Sequence, residues 1–378
     1  MKSLIQLAVV VVLLGVPSSL HAALQITLTP AVQNSAQSQT LLFTVSLTNN
    51  SGTDSLYLND IQFSLSGNSA THLTPDSNTY FSNVPGILLP NETYSGPLFS
   101  IALDGTATPA DYGGTVNVLG GADIFASGNL ASANFAVLFP SVTLVATDAS
   151  ASEYGPDNGV FTVTRTGRTD TDLTVTFSTT GSAVNGTTYS LIPTSITIPS
   201  GSASQTITLT PLPDAIAQGD RNAVFTITTS DVSPYALGAS LSDTVVVHDK
   251  PAEAWRVQTF GGAANDPKAA DLASWKSDGL LNLLAYALNI DPTSNDRSGL
   301  PISSTSAGYL TLSYVPNSNA PDLTYAVEAS TDLIHWNTND VEAVNNPNPN
   351  PPNQVTFRYK YPVNSSAPAF LHLRVTRN

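Results

Sequence analysis

Apolar and polar residues alternate in short runs along most of this chain, and turn residues separate the runs. In DLTVTFSTT, Leu173, Val175 and Phe177 would face one side, while Thr174 and Thr176 would face the other. A period of two is the side-chain period of a strand with one buried face, and Gly, Pro, Asn and Asp between the runs are typical turn residues. The pattern therefore predicts an all-β protein built from sandwiches.

Charge composition divides the chain into three regions. Residues 23–140 contain seven acidic residues and no Lys or Arg, residues 141–249 contain ten acidic and three basic residues, and residues 250–378 contain eleven and nine. Such steps in composition indicate domain boundaries. We predict an N-terminal β-sandwich at 23–140, a second sandwich at 141–249, a linker with a short helix at 250–297 and a small C-terminal β domain at 298–378.

The N-terminal residues 1–22 read MKSLIQLAVVVVLLGVPSSLHA. Lys2 supplies the positive charge, an apolar stretch follows it, and Ala22 is the small residue expected before a cleavage site. The pattern predicts a Sec-type signal peptide, since the apolar stretch is short for a membrane span. We therefore expect an extracellular or cell-surface protein with no stable membrane insertion after signal cleavage. An uncleaved N-terminal anchor is the alternative.

Three segments of the second region resemble one Calx-beta domain, and together they cover residues 141–249 almost end to end. They read DASASEYGPDNGVFTVTRTG, NGTTYSLIPTSITIPSGSASQTITLTPLPDAIAQGD and LSDTVVVHD. The resemblance implies a Greek-key sandwich of the immunoglobulin type. The expected fold class is therefore all-β, with tandem immunoglobulin-like, Greek-key sandwiches and one short helix between the second and third modules.

Some Calx-beta domains bind Ca²⁺ at one tip of the sandwich, and the resemblance implies which residues would be ligands here. The pattern takes carboxylates from an early SE motif, a GTDY motif, a DDxxxEGDE loop and a terminal DxD. The acidic residues of this chain that match it, and are the candidate metal ligands, are Glu153, Asp214, Asp220 and Asp249.

Other positions of the same pattern have lost their acidic residues. Thr188 stands for the Asp of GTDY, Gln218 for a Glu, Arg221 for the final acid of the loop, and Lys250 follows Asp249. Positive side chains close to a cation site oppose binding. Two interpretations stay open: the acids form one weak, millimolar-range Ca²⁺ site, or they are solvated loop residues and partners of Arg221 and Lys250.

The third region resembles the C-terminal modules of large secreted bacterial proteins, in which a DxDxDGLxNLxEYAL calcium loop enters a short helix. The matching segments are KSDGLLNLLAYAL and, further on, TYAVEASTDLIHW. The ligand positions of that loop hold Ser274, Lys276, Asp278, Asn282 and Ala285. Because a lysine and an alanine replace carboxylates, we predict a helix without a metal, with Asp278 capping its N-terminus.

Catalytic signatures are absent from the sequence. There is no cysteine, and the sequence shows no GxSxG, P-loop or HExxH motif. The histidines that follow the predicted signal peptide lie in different segments. The formal net charge of −15 argues against a nucleic-acid partner, because acidic surfaces repel phosphates. We therefore predict that the protein is not an enzyme.

The function predicted from the sequence is that of a non-enzymatic secreted or cell-surface structural or adhesion protein. Its partner would be a cell-surface or matrix protein or a glycan. One alternative is a carbohydrate-binding accessory protein, whose candidate aromatic residues are Trp255, Trp275, Trp336, Tyr80 and Tyr189. The other is a secreted hydrolase that uses paired carboxylates in a cleft.

Overall fold

The computed structural model describes residues 24–155, 157–347, 349–363 and 368–378. The predicted signal peptide lies outside these residues and stays a prediction. In the described part of the chain, strands predominate and are arranged in several packed sheets, which confirms the all-β prediction. No helix in the same part is long and apolar enough to cross a membrane.

The N-terminal sandwich consists of two sheets and two short helices. Its helices are α1 (Asn68–His72) and α2 (Asn78–Asn83). Strands β1 to β9 are, in order, Leu24–Leu28, Val32–Asn34, Thr40–Asn49, Leu56–Leu65, Leu73–Asp76, Ile87–Leu88, Thr93–Leu103, Ala110–Gly121 and Gly128–Phe139. One sheet has the order β1-β3-β7-β5 and the other β2-β9-β8-β4-β6.

Aromatic rings fill the space between the two N-terminal sheets. The ring of Phe43 on β3 stacks on that of Phe99 on β7 at 4.9 Å between centroids, and Phe135 on β9 meets Phe43 edge-on at 5.5 Å. All three side chains are buried. The predicted alternation therefore places one face of each strand in a common core.

The second sandwich follows after a single residue, Pro140. Strands β10 to β18 are Ser141–Asp148, Ser150–Ser152, Gly159–Arg165, Leu173–Thr180, Ser195–Ile198, Ser204–Leu209, Arg221–Thr228, Ala236–Leu237 and Ser242–His248. The sheets have the orders β15-β12-β10-β17 and β11-β18-β16-β13-β14. The chain thus passes from one sheet to the other between β10 and β11.

The predicted linker is helical, and its second α-helix packs in one hydrophobic core with strands of the C-terminal region. It contains α3 (Pro251–Phe260), 3-10 turns at Gly261–Ala263 and Pro267–Ala269, and α4 (Asn282–Ala287). Strands β19 to β24 are Ile302–Ser306, Tyr309–Tyr314, Leu323–Ser330, Val341–Ala343, Val355–Tyr359 and Phe370–Arg377. They form the sheets β19-β20-β23-β22 and β21-β24.

The linker differs in two details from the sequence prediction. The predicted helix is present as α4, but α3 precedes it and was not predicted, because its apolar residues do not keep a helical spacing. The cap predicted at Asp278 is wrong: α4 begins at Asn282, and Leu281 occupies the N-cap position. Asp278 instead accepts a hydrogen bond from the Leu280 N–H at 3.2 Å and pairs with Arg297.

Candidate functional site at the tip of the second sandwich

The tip of the second sandwich gathers charged residues from the ends of three strands. Glu153 follows β11, Asp249 follows β18, and Arg221 begins β16. Each continues the inward row of its strand, since successive side chains alternate between faces. Ala151, Val247 and Ala223, two residues away in each case, are buried core residues. The alternation therefore directs Glu153, Asp249 and Arg221 between the sheets.

Glu153 and Arg221 form a buried ion pair. The Arg221 Nη2 atom donates to Glu153 Oε1 at 2.7 Å, and the Glu153 side chain is fully buried. Glu153 Oε2 accepts a second hydrogen bond from the Asp214 N–H at 3.1 Å. Burial raises the pKa of the Glu153 carboxyl, while the Asp214 N–H and the Arg221 charge oppose that rise. Both carboxylate oxygens are thus engaged within the protein.

The guanidinium of Arg221 connects three separate loops. Besides Glu153, it donates through Nη1 to Thr188 Oγ1 at 3.1 Å and to Gln218 Oε1 at 2.8 Å. Thr188 is itself buried, and its hydroxyl accepts a hydrogen bond from the Val184 N–H at 2.9 Å. The planar fork of an arginine suits such a multiple contact, because its donors have fixed directions.

Asp249 and Asp214 hold the loop that precedes β16. Asp249 Oδ2 accepts hydrogen bonds from the backbone N–H groups of Gln218 at 2.7 Å and Gly219 at 2.6 Å. Asp214 accepts from the Ile216 N–H at 2.7 Å and from the Gln218 side-chain amide at 3.0 Å. The ammonium of Lys250 contacts the Asp214 backbone carbonyl. These acids act as turn and loop anchors.

Asp220 lies apart from the other three predicted ligands. Its side chain is 61% exposed and accepts a hydrogen bond from His248 Nδ1 at 2.8 Å. His248 is on the outward row of β18, and Asp220, directly before β16, is out of phase with the buried residues of that strand, which explains why the two meet on the surface. The structure therefore brings together Glu153, Asp214 and Asp249 and leaves Asp220 outside the cluster.

The residues at the tip do not fit a calcium ion. Calcium requires about six to eight oxygen ligands. Both oxygens of Glu153 and of Asp214 already have donors, and Asp249 Oδ1 is the carboxylate oxygen of this cluster that is buried without a partner. Among the described residues, no group of three or more His, Cys, Asp or Glu side chains could hold a metal ion. The calcium prediction is untested and stays a prediction.

The tip also contacts the C-terminal part of the chain. The hydroxyl of Tyr154, next to Glu153, donates to the Pro321 carbonyl at 2.8 Å. Ala217 and Asn265 exchange two hydrogen bonds at 2.8 Å each, one in each direction between the Ala217 backbone and the Asn265 amide. Lys250 lies directly before α3. The tip is therefore the junction between the second sandwich and the linker.

Sequence reasoning missed a second charged cluster, which joins α3 to the last strand. Glu253 on α3 is buried, and Arg377 on β24 donates to it at 3.2 Å. Arg377 also pairs with Asp271 at 3.2 Å and lies 3.6 Å from the buried Asp322. Burial raises the pKa of Glu253, and the nearby cations Lys250, Arg377 and Arg256 oppose that rise. The signal in the sequence is that Arg377 continues the inward row of FLHLRVTR.

The aromatic residues proposed for carbohydrate binding are mostly packed against other rings. Tyr80 and Tyr189 are buried, so both are wrong as exposed candidates. Trp275 stacks on Phe260 at 4.5 Å between centroids, and Trp255 lies 5.3 Å from Tyr286. Trp336 stacks on His372 at 3.8 Å and is half-buried beside the exposed Leu333 and Ile334. The described rings do not form a shared flat platform.

Two clefts in the described part of the chain each contain one acidic residue. The larger, about 1280 Å³, lies between the first and second sandwiches, and Asp231 is its one acidic residue. The smaller, about 320 Å³, lies beside α3, and Asp291 is its one acidic residue. A glycosidase-type mechanism needs two carboxylates on opposite sides of one bond, and neither cleft supplies that pair.

We expect Asp332 to titrate below the ordinary Asp pKa of 3.8. Hydrogen bonds from the His335 ring, and from the backbone N–H groups of His335 and Ile334, lower its pKa. Since the folded-state pKa is lowered, this turn is stabilised above pH 3.8 and loses that stabilisation as the pH falls through the folded-state value. Carboxyl-carbon NMR titration measures the shift, and His335→Ala should raise the pKa. An equal pKa in both proteins would contradict this assignment.

Comparison with known proteins finds distant structural similarity and no family. No protein-family model matches the chain, and no curated protein matches its sequence. The crystal structure of the apo-form Calx CBD1 domain is similar at 19% identity, with a TM-score of 0.26, over 29% of this chain and 97% of that one. The crystal structure of CBD12 from CALX1.2 is similar at 11% identity, with a TM-score of 0.29, over 62% of this chain and 81% of that one. The D00-D0 domain of Intimin is similar at 15% identity, with a TM-score of 0.22, over 60% of this chain and 100% of that one.

Proposed function

We propose that this chain is a non-enzymatic structural or adhesion protein of the cell exterior, in which the sandwiches are stiff spacers that present their loops to a surface partner. The second sandwich would be a Calx-beta-type module. The observation that carries the proposal is that side-chain contacts, rather than long free linkers, connect each module to the next. A protein that transmits force or sets a distance needs such fixed junctions.

The first junction is short and directly bonded. A single residue separates β9 from β10. The Asp111 carboxylate of the first sandwich accepts the Arg168 N–H of the second at 3.1 Å, and Asn34 Nδ2 donates to the Asp172 carbonyl at 2.7 Å. The Thr171 hydroxyl also donates to Asn34 Oδ1 at 2.9 Å. These contacts restrict rotation about the short connection.

The second junction combines the tip contacts with the Arg377 cluster. Tyr154 and Ala217 bond the tip to the linker and the C-terminal domain, and Arg377 joins the last strand to α3. The apolar N-terminal sequence at residues 1–22 supports export. A calcium site at the tip is not part of this proposal, because the carboxylate oxygens of Glu153 and Asp214 already have donors within the protein.

Gly167→Ala is expected to loosen the first junction. Gly167 has a φ of +77°, and a Cβ atom there would lie 2.6 Å from Asp111 Oδ1, so the carboxylate would have to swing away from Arg168. Gly201→Ala is the matched control, because its φ is +84° and its Cβ would meet nothing within 4 Å. Both variants should lose about 1 kcal/mol of stability through backbone strain. Only Gly167→Ala should broaden the distance distribution in small-angle X-ray scattering, and equal broadening in both would contradict the role of Asp111.

The functional test has a mechanical part and a binding part. Small-angle scattering of the full chain should fit one rigid arrangement, and a broad ensemble of module orientations would contradict the spacer role. Protease treatment of intact host cells should remove the protein from their surface. Immobilised protein should bind host or neighbouring cells without turning over polysaccharide or peptide substrates. Glycan binding that Trp336→Ala abolishes would favour the carbohydrate-binding alternative instead.

A further inference from the structure

Three positions at which the tip departs from the calcium pattern form a single hydrogen-bonded unit. The Calx-beta resemblance implies an Asp at the position of Thr188, a Glu at that of Gln218 and an acid at that of Arg221. In the structure Arg221 donates to both Thr188 and Gln218, and to the retained acid Glu153. Residues around one ion site lie close together in any case, so the informative observation is that the one guanidinium of Arg221 bonds Thr188, Gln218 and Glu153. Arg221, Thr188 and Gln218 therefore act as a set.

The set performs the two tasks of a bound cation. A cation neutralises clustered carboxylates and connects the loops that carry them. Arg221 supplies a permanent positive charge against the fully buried Glu153, and its fork joins the loops of Glu153, Thr188 and Gln218. Lys250 brings a second positive charge to the loop of Asp214.

We propose that Arg221, with Lys250 beside it, is the built-in cation of this tip, so that the second sandwich and its junction stay ordered without a metal ion. A divalent cation that entered the tip would lie close to the positive charge of the Arg221 guanidinium, and this repulsion opposes its binding.

The geometry of the junction between the second sandwich and the linker should also be independent of metal ions. Tyr154 and Lys250, which lead to the C-terminal part of the chain, directly follow Glu153 and Asp249 in the sequence. Their positions are set by the backbone that Arg221 and the Asp249 carboxylate fix. The angle between the second sandwich and the linker should therefore be the same in calcium-rich and calcium-poor surroundings.

The test is a set of thermal melts of the full chain, first in excess EDTA and then in millimolar Ca²⁺, with unfolding monitored by circular dichroism. The parent protein should melt within about 1 °C of the same temperature in both, since a ligand that does not bind cannot shift the equilibrium. A triple variant, Thr188→Asp with Gln218→Glu and Arg221→Glu, restores the carboxylates. It should melt lower in EDTA and rise by about 5 °C or more with Ca²⁺.

The control is Arg168→Glu, which repeats the arginine-to-glutamate change of position 221 at an exposed site of the same sandwich and should give no calcium response. If the triple variant is unfolded in EDTA, its refolding on addition of Ca²⁺ becomes the readout, with the same expected result. A triple variant that ignores Ca²⁺ would overturn the proposal. So would a saturable rise of several degrees in the parent that Asp249→Asn abolishes. Small-angle scattering of the parent tests the spacer role separately from these melts.

Discussion

Arg377→Ala is expected to lower the free energy of unfolding of the C-terminal region by about 3 kcal/mol. The substitution leaves the buried carboxylates of Glu253 and Asp322 without the guanidinium that lies 3.2 and 3.6 Å from them. The loss should fall at the lower end for a broken buried pair, because 22% of the Arg377 side chain is exposed and Lys250 and Arg256 still face Glu253. Tryptophan fluorescence in urea is the measurement.

Fluorescence is selective here because all three tryptophans lie in residues 250–378. The matched control is Arg374→Ala on the same strand, where the guanidinium is 56% exposed and pairs with Glu328. Because the Arg374 guanidinium lies in solvent and Glu328 keeps His372 as a partner at 2.8 Å, we expect a loss of at most about 1 kcal/mol. Equal losses for Arg374→Ala and Arg377→Ala would mean that the cluster between α3 and β24 does not hold the two elements together.

The period-two pattern predicts most of the fold and, when its phase is followed to the strand ends, part of the tip as well. Ala223, Phe225 and Ile227 form the inward row of β16, and Arg221 is in phase with them. Asp220 is out of phase, and the structure places it on the surface. Phase alone would therefore have separated Asp220 from the buried acids Glu153 and Asp249.

The remaining contacts could not be predicted because they join residues that are far apart in the sequence. Glu153 and Arg221 are 68 residues apart, and Glu253 and Arg377 are 124 residues apart. Neither the alternation nor the spacing of turns fixes how the loops at one end of a sandwich pair. Helix α3 was not predicted for a related reason. Its buried residues include the charged Glu253, which interrupts the apolar pattern of the helix and pairs with Arg377 on the last strand.

The packed core of the second sandwich fixes the orientation of β16 and so directs Arg221 into the tip. Phe225→Ala should therefore lower the stability of this module strongly. Phe225 is fully buried, and its ring lies 4.4 Å from that of Phe161 and 5.3 Å from that of Phe177. Removing a buried phenylalanine ring costs about 3–5 kcal/mol through lost burial and the cavity left behind. Because the second sandwich has no tryptophan, hydrogen exchange of the β16 amides is the measurement.

The control, Thr226→Ala, lies one residue further on the outward face, where its hydroxyl meets the Ser242 hydroxyl at 2.8 Å. Its loss should stay below about 1 kcal/mol, as for exposed cross-strand pairs. Phe225→Ala should also accelerate exchange at the Gly219 N–H, which Asp249 holds at the tip, because β16 and β18 carry both the core row and the tip residues. Faster exchange confined to the core, with Gly219 unchanged, would show that the ionic contacts of Arg221 order the tip without support from the core.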